Sequence, residues 1–113
     1  MTRAARLTRK LVLQGPQLIP DESGGFATTW QTLGTLWGDI RAGSGRVLEE
    51  DGLPRTSVPL KITVRAAPVA APSRPHAGQR FVEQGRKYRI LAVADADVSA
   101  RYLVCHAEEE VTP

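Results

Sequence analysis

Cysteine is nearly absent from this chain. Cys105 is the only one in 113 residues, which excludes an internal disulfide framework and every zinc site that needs two or more thiolates. Aromatics are scarce too: two Phe, two Tyr and two Trp. Val, Leu, Ile and Ala must therefore supply most of the core. No apolar run approaches the roughly 20 residues of a membrane span. The short run Leu11-Val12-Leu13, behind the basic residues Arg3, Arg6, Arg9 and Lys10, is no signal-peptide core. The expectation is a chain made in the cytoplasm with no membrane partner. Charge of neither sign dominates: a formal net charge of +3 tolerates a nucleic-acid neighbour without demanding one.

What is present reads as one all-β domain over residues 1–113, large enough to bury about two thirds of its unfolded surface. Residues 1–6 form a basic arm. A first strand is expected from Leu7 to Gln14, closed by Gly15-Pro16, and the turn formers of Pro20 to Gly25 make a loop. Phe26 to Thr32 and Thr35 to Ala42 follow as two strands broken at Gly34, because four Thr and two Gly make a poor helix and a plausible strand. Residues 43–58 read as a long acidic loop with one helical turn over Val47 to Asp51. Leu60 to Arg65 alternates apolar and polar throughout, a strand with one buried face. Three prolines make 66–79 an extended Pro/Ala-rich loop. Arg80 to Glu83 and Arg86 to Ala94 flank Gln84-Gly85 as a hairpin. Asp95 to Asp97 turns into a last strand, Arg101 to Ala107, with 108–113 as a frayed tail. That gives six or seven strands in a small antiparallel barrel with long protruding loops.

The largest apolar groups, Trp30 and Trp37, are assigned to the structural core with Ile40, Ile62, Val64 and Ile90. The last two strands are apolar on both faces, whereas a small antiparallel sheet usually keeps one wet face. Either the Pro-rich loop covers the outer face or a neighbouring subunit does. On the second reading Leu91, Val93, Leu103 and Cys105 form the subunit interface.

Catalytic chemistry finds no support. Cys105 and His106 are adjacent on a strand, so their side chains point to opposite faces and cannot share a proton. His76 lies apart in the Pro-rich loop. Gly43-Ser44-Gly45-Arg46 lacks the Lys-Ser/Thr and the helix of a phosphate loop. Glu49, Glu50 and Asp51 lack the spacing of a calcium loop. The chain is read as a non-enzyme without metal or cofactor.

The ordered features resemble one family, the phage head-tail joining proteins, also called head-closure or stopper proteins, of long-tailed phages and gene transfer agents. The match begins with Leu7 to Gln14 followed by Gly15-Pro16. It continues through Pro20-Asp21 to Gly24-Gly25, Trp30, Trp37 to Ile40, and Gly45-Arg46 with acids soon after. It ends with Gly78 to Phe81, Gly85 to Leu91, Ala94-Asp95 and Tyr102 to Cys105. The chain departs from the usual pattern between Asp51 and Val58, and again from Ala66 to His76.

The resemblance implies a small β-barrel that assembles into a ring, sixfold or twelvefold, in the neck of a particle. Portal and adaptor rings lie above it, the tail terminator below, and packaged double-stranded DNA in its channel. On that implication Arg46, Glu49, Glu50 and Asp51 form a gate or inter-ring loop, and Arg3, Arg6, Arg9 and Lys10 a candidate basic contact. Two alternatives stand beside it. One is a small-barrel nucleic-acid-binding module, disfavoured because no aromatics cluster with the basic arm. The other is a tail terminator, which would alternate helices with strands.

Overall fold

The computed structural model describes residues 6–43, 46–50, 53–96 and 98–110, with backbone alone for 46–50 and 53–57. The elements are β1 (Arg9–Pro20), β2 (Phe26–Ala42), β3 (Arg46–Glu50), β4 (Leu53–Ser57), β5 (Pro59–Arg65), β6 (Arg80–Glu83), β7 (Arg86–Asp95) and β8 (Tyr102–Glu109). Six of them close into an antiparallel barrel in the order β1-β2-β5-β8-β7-β6, with β6 returning to β1. The all-β barrel expected from the sequence is the architecture formed. β3 and β4 pair only with each other, as a separate hairpin.

Alternation places one residue in two inside the barrel. The interior holds Leu11, Leu13, Ile62, Val64, Phe81, Tyr88, Ile90, Leu103, Cys105 and Ala107, each at most 1% exposed. Each full-sized member contributes about 1.5–3 kcal/mol by leaving water. Ile62, Val64 and Ile90 sit in this core as expected, and Ile40 packs against it half-buried.

β1 and β2 are longer than the sequence implies. β1 runs through Gly15 and Pro16, and β2 runs through Gly34 without a break. Pro16 is tolerated because β6 pairs with β1 only at Val12 to Gln14, so beyond that point β1 has an open edge and no second ladder to disrupt. Past Gln14, β1 and β2 continue as a two-stranded arm standing clear of the barrel, and the molecule measures 53 × 36 × 25 Å.

Instead of a break, β2 carries a bulge. Leu13 pairs with Gly34 and Gln14 with Thr32, which leaves Leu33 as an extra residue. The Leu33 side chain turns onto Gly15, where an added Cβ would lie 3.0 Å from Leu33 Cδ1. A second bulge falls at Leu91, between the pairs Ile90–Ala107 and Ala92–His106.

Three further expectations are corrected. The stretch 43–58 is no irregular loop: β3 and β4 form a hairpin there, and strand replaces the expected helical turn at Val47 to Glu50; Asp51 lies outside the described residues. The acids at 108–110 are not frayed. Glu108 and Glu109 belong to β8 and bridge Arg89 and Arg86, and Glu110 lies 3.8 Å from Arg80. The hairpin at Gln84-Gly85 forms as expected, with both residues at positive φ (48° and 84°).

Candidate assembly surfaces

Register decides which side chains face outward. Trp37 pairs with Lys10 and Trp30 with Pro16, and partners across an antiparallel ladder share a face. Lys10 and Pro16 are six residues apart on β1, so they point the same way, opposite to the buried Leu11 and Leu13. Both tryptophans therefore lie on the outer face of the ribbon. This corrects their assignment to the core: Trp37 is 54% exposed and Trp30 is half-buried. The cause is the extra residue at Leu33, which converts an odd separation along β2 into same-face neighbours.

Trp30 is covered from outside. The Arg80 guanidinium stacks over its ring at 3.9 Å, held by a 2.8 Å hydrogen bond that Arg80 Nε donates to Gln14 Oε1. Further along the same face the arm carries Leu18 and Phe26, 66% and 68% exposed. Its tip is a built turn. Asp21 Oδ1 accepts hydrogen bonds from the Ser23 and Gly25 amides at 2.9 and 2.8 Å, and Gly24 supplies positive φ at 83°.

At the barrel end of the face lies a groove of about 520 Å³ between β1 and β6, bordered by Val12, Trp37, Val82, Lys10, Arg9 and Arg86. An ion-pair cluster fixes its wall. Arg9 makes two 2.6 Å hydrogen bonds to Glu83, whose Oε1 also accepts from Tyr88 Oη at 2.9 Å. The Arg9 guanidinium holds the Glu83 carboxyl below the usual carboxylate range, and burial raises the Tyr88 phenol. Arg86 donates two 2.8 Å hydrogen bonds to Glu109 and lowers its pKa likewise.

The expected site residues fall as follows. In the basic arm, Arg9 is committed to Glu83, the Arg6 amide donates to Asp39 Oδ2 at 3.1 Å, Lys10 is exposed, and Arg3 lies outside the described residues. Of the candidate loop, Arg46 and Glu49 to Glu50 lie in the β3–β4 hairpin, with side chains outside the description. Of the candidate interface, Leu103 and Cys105 are inside the barrel, so they cannot meet a neighbour. Val93 pairs with Cys105 and packs against the core. Leu91 alone of that set is exposed, at 46%, because it follows the inward Ile90 and the bulge after it turns Val93 inward. His106 is exposed and Cys105 buried, as alternation requires. Sequence reasoning missed the arm face, since nothing in the alternation of 26–42 marks Leu33 as the extra residue.

Over this geometry the comparisons with known proteins are unambiguous. The family described as phage head completion protein matches residues 2–110. The chain belongs to the phage head completion protein family. A solved chain from the virion of a native gene transfer agent particle is 45% identical, with a TM-score of 0.81 over 96% of this chain and 98% of that one. No curated protein matches. The expected resemblance is thus upheld, and a head completion protein has a structural role in a phage-type particle.

Proposed function

We propose that this chain is a neck protein that forms a ring between the portal or adaptor above and the tail terminator below. There it closes the DNA channel after packaging and offers the tail a docking surface. It acts as a structural part, not as an enzyme. The observation that carries the reading is the near-complete match to a chain of a gene transfer agent virion, over a barrel with the same fold.

The geometry supports it physically. A ring subunit needs a rigid body, flanks that meet neighbours, and extensions that reach beyond the body. The closed barrel supplies the first. The β1–β2 arm and the β3–β4 hairpin supply two extensions, and β3 of the hairpin carries Arg46, Glu49 and Glu50. Acids lining a channel repel DNA phosphates and oppose adhesion to the wall.

Reversing Glu49, Glu50 and Asp51 together to Lys tests the hairpin's part. Filled but leaking or tailless heads are the expected result; normal infectious or transducing particles would remove the gating role. The Arg80 cap closes Trp30 to base stacking, whereas Trp37 stands open beside Lys10. The head completion family match, and not a lack of aromatics near the basic arm, therefore disfavours the nucleic-acid-module reading. Titration of the isolated chain with single-stranded DNA should be flat.

A further inference from the structure

We propose that the tip of the β1–β2 arm of one copy docks in the Trp37 groove of the next copy, making the contact that links subunits into a ring. The proposal rests on the ring reading above and assigns its subunit contact.

The arm needs a cover. β6 leaves β1 at Gln14, and β5 joins β2 only from Gly38 to Ala42, so the outer half of the ribbon has no second layer. An isolated two-stranded hairpin is marginal in water. This one nevertheless exposes Leu18 and Phe26 on one face by about two thirds each. At the other end of the same face, Trp37 is 54% exposed beside Val12 and Val82 in the groove. One end thus presents the projecting apolar pair Leu18 and Phe26, and the other a largely polar groove in which Trp37, Val12 and Val82 form an apolar strip.

Charge selects the occupant. Asp21 and Glu22 are exposed at the arm tip, and Lys10 is exposed beside Trp37 at the groove. A tip-to-tip pairing would bring acids together, whereas tip-to-groove brings Glu22 toward Lys10. The two patches lie about 35 Å apart along one ribbon at about 3.4 Å per residue, so a single copy cannot satisfy itself. Joining different patches of successive copies is a heterologous contact, which closes into a ring when the rotation permits. The tip is preorganised for it by the two hydrogen bonds to Asp21 Oδ1, so little ordering is left to be done on docking.

Cross-linking in assembled particles tests this. Particles are built with the full-length double variant Glu22→Cys/Lys10→Cys and oxidised, with each single variant as control. Cys105 is buried, with its thiol pushed up to about 12, and does not compete. The expected result is a ladder of disulfide-linked multimers rising to the full ring, from the double variant only.

A charge exchange gives a second readout. Glu22→Lys or Lys10→Glu alone should lower incorporation into particles about tenfold, and the two combined should restore it. A ring visible in the particle with no ladder and no rescue overturns the arm contact and leaves the ring reading standing. Cross-links from the tip to a different particle protein do the same. Absence of any ring of this chain from the neck overturns both.

Discussion

Trp30 and Trp37, seven residues apart on one strand, lie on the same outer face of the barrel because Leu33 stands as an extra residue between them. Without that bulge one of them would point inward, into a core already filled by Leu11, Leu13 and Phe81. The bulge therefore turns the two largest side chains of an aromatic-poor chain into surface.

The energetic consequence is direct. Trp37→Ala should change the unfolding free energy by less than about 1 kcal/mol, as substitutions away from the core do. Leu103→Ala or Ile62→Ala should cost about 2–5 kcal/mol, because each empties a fully buried position. Urea melts of the three variants check this. A Trp37→Ala loss as large as that of Leu103→Ala would place Trp37 in the core after all.

Gly38 is a packing glycine. A Cβ there would lie 2.7 Å from Leu11 Cδ1 and 3.3 Å from the Thr63 carbonyl oxygen, and Leu11 is fully buried with no room to yield. Gly38→Ala should destabilise by about 1–3 kcal/mol. Gly34→Ala, where the nearest atom is Ser73 Cβ at 3.5 Å, should be milder. Thermal melts that ranked the two in the opposite order would contradict this packing.

The Arg9–Glu83–Tyr88 cluster makes stability depend on pH at both ends. The folded Glu83 carboxyl has a lowered pKa, so its contribution is present above the ordinary carboxylate value of about 4.3 and is lost as pH falls through the folded value. Tyr88 is raised, so its contribution is complete below the ordinary phenol value of about 10 and is lost as pH rises through the folded one. Glu83→Gln should flatten the acid limb of stability against pH. An unchanged acid limb would show that Glu83 is not responsible for it.

Cys105 is buried, and desolvation pushes its thiol up to about 12. It should resist a thiol-specific reagent at pH 8 in the native chain and react when the chain is denatured. Rapid native labelling would mean that the barrel opens at β8.

Much of this fold is legible in the residues. The strict alternation of Leu60 to Arg65 and the Gln84-Gly85 turn both place their elements, and the ordered motifs point to the family. Other parts depend on partners distant in sequence. Gly15-Pro16 looks like a stop, yet an open strand edge absorbs the proline. The acids at 108–110 look like a loose tail, yet Arg89 and Arg86 on the adjoining β7 and Arg80 on β6 lie within ion-pair reach of them. At Leu91 the alternation of β7 shifts by one, so Val93 turns inward beside Cys105 while Leu91 stays out; Leu103 and Cys105 face inward by the regular alternation of β8. Bulges carry no local signature here, and they decide which residues face outward.

Reconstruction of the intact particle at side-chain resolution tests the central claim most directly. It should show a closed ring of this barrel at the junction of head and tail, with the β3–β4 hairpins reaching toward the channel or the adjoining ring. A neck built without this chain, or one holding only isolated copies that make no contact with each other, would contradict the account.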